Sequence, residues 1–163
     1  MDQRGNDSDP GAFLAPAEVA NIATFIASGK KVVMFGENTA WTNWNNQILG
    51  ICGGSHGGAT DGITSPVLTH ELTEGVAQLD IYYGGDANGG TPLFDQDVAT
   101  LWPSCGQVLT ILEVGSQQID QWPLFDNAAF FTNVADWIGF LDSMPFSDGF
   151  ESGDTSRWSA TYP

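Results

Sequence analysis

The sequence predicts an α/β fold, a short buried sheet flanked by helices. Three observations carry this. Val32-Val33-Met34-Phe35 is a four-residue apolar run, too short for a buried helix and rich in β-branched side chains. The residues before and after it carry apolar side chains at helical spacing. A second, stronger helical pattern returns near the C-terminus, with Phe130, Phe131, Val134, Trp137, Ile138 and Leu141 at i, i+1, i+4, i+7, i+8 and i+11.

Residues 1–12 are rich in Gly, Asn, Asp, Ser and Pro and read as a loop. From Pro16, Val19, Ile22, Phe25 and Ile26 lie on one helical face. Pro16 suits the first turn, Glu18 complements the positive helix end, and Gly29 suits the stop. The run 32–35 follows as the expected central strand. Trp41, Trp44, Ile48 and Ile51 then mark a second helix, with Thr39 as its expected N-cap. Residues 53–66 are Gly-, Ser- and Thr-rich and predict a long loop closed by Pro66. Leu79–Tyr83 reads as a strand, 84–90 as a turn, and Pro92-Leu93-Phe94 as extended chain. QVLTILEV (107–114) is a further strand. Asp126 or Asn127 is positioned to cap the last helix. After Met144-Pro145 the chain turns polar, and 146–163 is expected to pack little against the core.

Composition narrows the function. The 163 residues contain 20 acidic and 4 basic side chains, a formal charge of −16. No Lys or Arg stands between Lys31 and Arg157. Phosphate recognition needs clustered cations, so a nucleic-acid partner is excluded, and an arginine clamp on an anionic substrate is disfavoured. No apolar run is long enough for a membrane span. The acidic N-terminus lacks the features of a signal peptide. Cys52 and Cys105 are too few for a disulfide framework or a structural zinc site. Each sits beside a glycine, one closing a helix and one before a strand, so they can form one bridge.

The chemical motifs are sparse. Gly53-Gly54-Ser55-His56-Gly57 matches G-x-S-x-G, but that chemistry needs a strand before the serine and a helix after it, and here a helix precedes and a glycine loop follows. Ser28-Gly29-Lys30-Lys31 lacks the upstream glycine and the downstream hydroxyl of a phosphate loop. The only histidines are His56 and His70, so any imidazole chemistry uses one of them. A metal site from His56, His70 and Glu71 has no diagnostic spacing, and the turn reading is preferred. Asp86/Asn88, Asp95/Asp97 and Asp148–Asp154 place oxygens at alternate positions without a full calcium loop. No cofactor or metal motif is present.

Pro16–Gly50, including the segment AEVANIATFIASGKKVVMFGENTAWTNWNNQILG, resembles the central helix–strand–helix of the class I glutamine amidotransferase-like superfamily, in its trehalose-utilisation-type branch. His70-Glu71-Leu72-Thr73-Glu74-Gly75-Val76 resembles the HPLT-x-G-V turn of that branch, with Glu71 in place of the proline. Residues 126–137 resemble its closing helix. The resemblance covers roughly residues 13–141. It implies a partial Rossmann-like (flavodoxin-like) open sheet over residues 13–144, lacking its first β-α units, with 145–163 as a separate tail. DGFESGDTSRWS (148–159) is similar to the C-terminal ends of exported bacterial proteins and to the opening strand of β-sandwich domains. Active members of the superfamily carry a cysteine on the turn after the strand and a later histidine. Here that turn is Gly36-Glu37-Asn38, and no histidine follows His70.

These observations lead to a non-catalytic α/β module, or a domain fragment, of an exported or surface bacterial protein, its ligand unidentified and its expected partner the missing N-terminal part of a larger chain. The alternatives are a hydrolase or carbohydrate-related enzyme using carboxylates such as Glu37, and a calcium-dependent binding module. The ligand-site candidates are Glu37, Asn38 and His70. Glu37 is expected to accept hydrogen bonds from the amides of Asn38, Thr39 and Ala40.

Overall fold

The computed structural model describes residues 7–8, 13–113 and 124–139. Within them the fold is mixed α/β. The elements are α1 (Pro16–Ala27), β1 (Val32–Phe35), α2 (Thr42–Gly50), β2 (Ser55–Thr64), β3 (Leu79–Asn88), β4 (Thr91–Pro92), β5 (Ala99–Leu101), β6 (Val108–Ile111) and α3 (Asn127–Trp137). Short 3₁₀ turns at Thr39–Trp41 and Glu71–Thr73 complete the order.

One sheet has the order β1-β6-β5-β4. Its β1–β6 pair is parallel and the other pairs are antiparallel. β2 and β3 form a separate antiparallel ribbon. Among the described residues β1 has only β6 as a neighbour and lies at the sheet edge, not the centre. Its apolar run has another cause. Val33 and Met34 face opposite sides, and both sides are covered. Alternation on a pleated strand sends Val33, Leu109 and Ile111 toward Phe130, Val134 and Trp137 of α3, whereas Met34, Val108 and Leu112 meet Ile26 of α1 and Trp44 and Ile48 of α2. Coverage of both faces, not a second neighbour, makes a strand uniformly apolar.

α1 has Pro16 at its start, and Glu18 accepts a hydrogen bond from the Ala15 amide (2.8 Å). Gly29, with φ +80°, ends it. Phe25 departs from the expected face. It is 50% exposed, with the Lys30 ammonium 5.7 Å from its ring centre. Leu141 and the segment 146–163 lie outside the described residues, so the expectations for them stand apart from this description.

The largest correction concerns 53–66. Residues 55–64 are strand β2, not loop. Ten residues of β3 supply the partner, and glycines accommodate two register shifts, between His56 and Gly58 and between Thr60 and Gly62. β3 likewise runs through Gly84 and Gly85 to Asn88, so the reversal is confined to Gly89-Gly90, both at positive φ. β5 was not expected from the sequence; its three residues are placed by pairing with β6.

Cys52, just after α2, and Cys105, between β5 and β6, form a disulfide with Cα atoms 5.2 Å apart. It ties the end of α2 to the β5–β6 connection.

Candidate functional site

The turn after β1 is built by Asn45, a fully buried residue of α2. Its Oδ1 accepts the Glu37 amide at 3.0 Å, and its Nδ2 donates to the carbonyls of Glu37 and Asn38. Gly36 has no room for a side chain because Asn45 Oδ1 and Leu112 occupy that position. Trp44 Nε1 donates to the Phe35 carbonyl at 2.9 Å, fixing the strand end.

The Glu37 carboxylate accepts the Asn38 amide at 3.2 Å. The Ala40 amide goes instead to Asn38 Oδ1 at 2.9 Å. Asn38, not Thr39, is therefore the cap at this helix entry, and it caps the 3₁₀ turn that leads into α2. The amide needs a side-chain oxygen two residues back, and Asn38 has the reach. Asp7, from the N-terminal loop, adds a second cap by accepting the Asn43 amide at 2.9 Å.

In open α/β sheets, ligands occupy the crevice outside the carboxyl ends of the parallel strands. Here β3 lies across that crevice. Gly85 donates its amide to the Leu112 carbonyl at 2.7 Å. A Cβ on Gly85 would stand 2.6 Å from the Glu37 carbonyl oxygen and 2.8 Å from His56 Nε2. A Cβ on Gly84 would stand 2.7 Å from the Leu112 carbonyl oxygen. The diglycine is what permits this approach. Glu113, 1% exposed at the end of β6, is enclosed beside it, with Oε2 3.1 Å from the same Gly84 position.

His56 stands on β2 against this crossing. Its Nδ1 is 3.5 Å from Thr42 Oγ1. Burial favours the neutral ring and holds its pKa below the ordinary histidine value, against the opposing pull of Asp86 and Asp7, which favours the charged form. Asp86 is raised by burial and then by the nearby Asp97 charge, and Asp97 is itself raised by burial. Ser55 is exposed as the first residue of β2, away from any strand-to-helix elbow.

His70 lies at the other end of β1. Its Nδ1 accepts the Leu72 amide at 3.2 Å and its own amide donates to Thr73 Oγ1 at 3.1 Å, a reciprocal cap on the Glu71–Thr73 turn. His70 and Glu71 border a cleft of about 380 Å³, whose other walls include Leu68, Leu101, Gln107 and Trp137. A broader depression of about 670 Å³ runs along Pro66–Glu74. Lys31 reaches Glu71 at 3.8 Å and lies 5.0 Å from the Trp137 ring centre. Lys31 precedes β1 and Glu37 follows it, so the fold sends Glu37 and Asn38 to one end of the strand and His70 to the other.

The acidic pairs have local structural roles. Asp95 accepts Thr64 Oγ1 and the Ser65 amide, and these bonds hold its carboxyl below the usual range. Asp86 and Asn88 are strand residues of β3. Among the described residues no group of three or more His, Cys, Asp and Glu side chains is placed to hold a metal ion. No described helix is long and apolar enough to cross a membrane.

Three features went unread in the sequence. Asn45 looks like any helix-surface amide. Gly84-Gly85 carries the signature of a turn. Glu113 did leave a signal, a lone carboxylate inside the apolar run QVLTILEV.

Neither a family model, nor a curated protein, nor a solved structure matches the chain.

Proposed function

We propose that this chain is a non-catalytic α/β module of an exported or surface bacterial protein, built on a Rossmann-like sheet of the glutamine amidotransferase-like type. The observation that carries the reading is the seating of Gly84-Gly85 on the carboxyl ends of β1 and β6. A nucleophile on the turn after β1 would need open space for a substrate, and the β3 backbone fills it. The turn's own polar groups are engaged in building the helix entry, and His70 is engaged as a cap. The Cys52–Cys105 bridge supports export, since disulfides persist mainly in oxidising compartments.

The test is a panel of serine- and thiol-directed covalent probes combined with ester and amide substrates. The expected result is no stoichiometric labelling and no turnover. Labelling of Ser55, with turnover abolished by Ser55→Ala, overturns the reading.

A carboxylate-dependent hydrolase is favoured by one observation. Glu37 and Glu113 follow β1 and β6 at equivalent places, two residues beyond the paired Phe35 and Ile111. Glycosidic hydrolysis needs two such groups on either side of a bond. Turnover of a glycoside panel, lost in both Glu37→Gln and Glu113→Gln, would select this reading over the first.

A further inference from the structure

The β2–β3 ribbon carries an exposed aromatic and acidic face that the proposed function does not use. Tyr82 is 63% exposed, Tyr83 56% and Ile63 48%. Ile63 pairs directly with Asp80, so the two share a face, and strand alternation along β3 puts Tyr82 on it as well. The register shift between Thr60 and Gly62 sets Tyr82 and Tyr83 opposite the single residue Asp61. Tyr83 has φ +69°, a left-handed conformation that is unfavourable for a residue with a Cβ. The fold thus carries a strained backbone at a position where the ring remains largely in solvent.

We infer that this face is a docking surface for a lysine- or arginine-bearing segment of a partner protein. Charge complementarity selects the occupant. Asp80 lies two residues before Tyr82 on the same strand, Asp61 stands opposite Tyr82 and Tyr83 in the register, and the ribbon contains no Lys or Arg. Tyrosine faces attract cations, and a carboxylate beside the ring adds a charge-assisted hydrogen bond. A neutral ligand would desolvate the carboxylates without compensation, and a polyanion would meet a chain of net charge −16. The two described lysines show the same chemistry, each lying over an aromatic ring of its own chain. The ribbon tyrosines offer rings to a cation from outside.

The experiment uses fluorescein-labelled peptides of alternating lysine and glycine, with glutamate–glycine and serine–glycine controls, titrated with the full chain and read by anisotropy. The expected result is binding of the lysine peptide alone, weakened by salt. It should fall at least tenfold in Tyr82→Ala/Tyr83→Gly and in Asp61→Asn, and stay unchanged in Asp136→Asn, which neutralises an exposed acid on α3. These substitutions are at exposed positions, and an unchanged urea midpoint checks that each variant is folded. Absence of binding overturns the inference. So does equal weakening by Asp136→Asn, which would mean unspecific charge attraction, or a self-association abolished by Tyr82→Ala, which would make a second copy the occupant.

Discussion

Replacing both cysteines, Cys52→Ala with Cys105→Ala, removes a bridge spanning 53 positions of sequence. In the chain-entropy description, closing a loop of that length lowers the entropy of the unfolded chain by about 14 cal/mol/K, a stabilisation of about 4 kcal/mol at room temperature. Domains of this size are stable by about 5–15 kcal/mol, so the loss is a large share of the total. With a urea slope of about 2 kcal/mol per molar, the midpoint should fall by about 2 M. Tryptophan emission is the natural probe, because Trp44 and Trp102 are buried in the core and change environment on unfolding. The same fall should follow when the native protein is reduced, with no substitution at all. A shift under about 0.5 M at constant slope would refute the reasoning. Two titratable thiols in the untreated protein would refute the bridge itself.

Other substitutions probe the closed crevice and its surroundings. Gly85→Ala should cost about 1–3 kcal/mol in urea denaturation, because the new methyl meets the Glu37 carbonyl and His56; an unchanged midpoint would show that β3 does not rest on the strand ends. Asn45→Ala should cost at least about 1–3 kcal/mol, since it strips buried partners from the Glu37 amide and carbonyl. Stability should fall as pH drops below the ordinary histidine range, because the lowered His56 pKa means the unfolded chain binds more protons there; His56→Gln should flatten that limb of a midpoint-against-pH curve. The raised pKa values of Asp86 and Asp97 have the opposite sign, so the folded state holds extra protons just above the ordinary aspartate range. Stability from these groups falls as pH rises through that window, and Asp86→Asn should lessen the decline.

The elements legible in the sequence are those whose burial leaves a period. α1 and α3 repeat apolar side chains at helical spacing, and β1 is a short, uninterrupted, β-branched apolar run, so the local pattern alone locates them. The acidic balance, the single cysteine pair and the missing nucleophile after β1 are likewise properties of residue identity, read without coordinates. β2 is different. Ser55–Thr64 contains three glycines and a single aliphatic residue larger than alanine, Ile63, so nothing local selects the extended state. Its strand geometry comes from hydrogen bonding to β3, 15 residues away at the nearer ends. The capping residues show the same division. Asp126 and Asn127 have cap chemistry, yet Asp126 Oδ2 takes the amides of Ala77 and Gln78, and Asn127 bonds both backbone groups of Asp80. Short polar side chains accept whichever amide the fold presents, and only the tertiary structure brought β3 within reach. The candidate site follows suit. Glu37, Asn38 and His70 were identifiable as polar residues on turns, but their separation to opposite ends of β1, and the closure of the carboxyl end by Gly84-Gly85, depend on a ribbon that crosses the sheet through contacts no local pattern encodes.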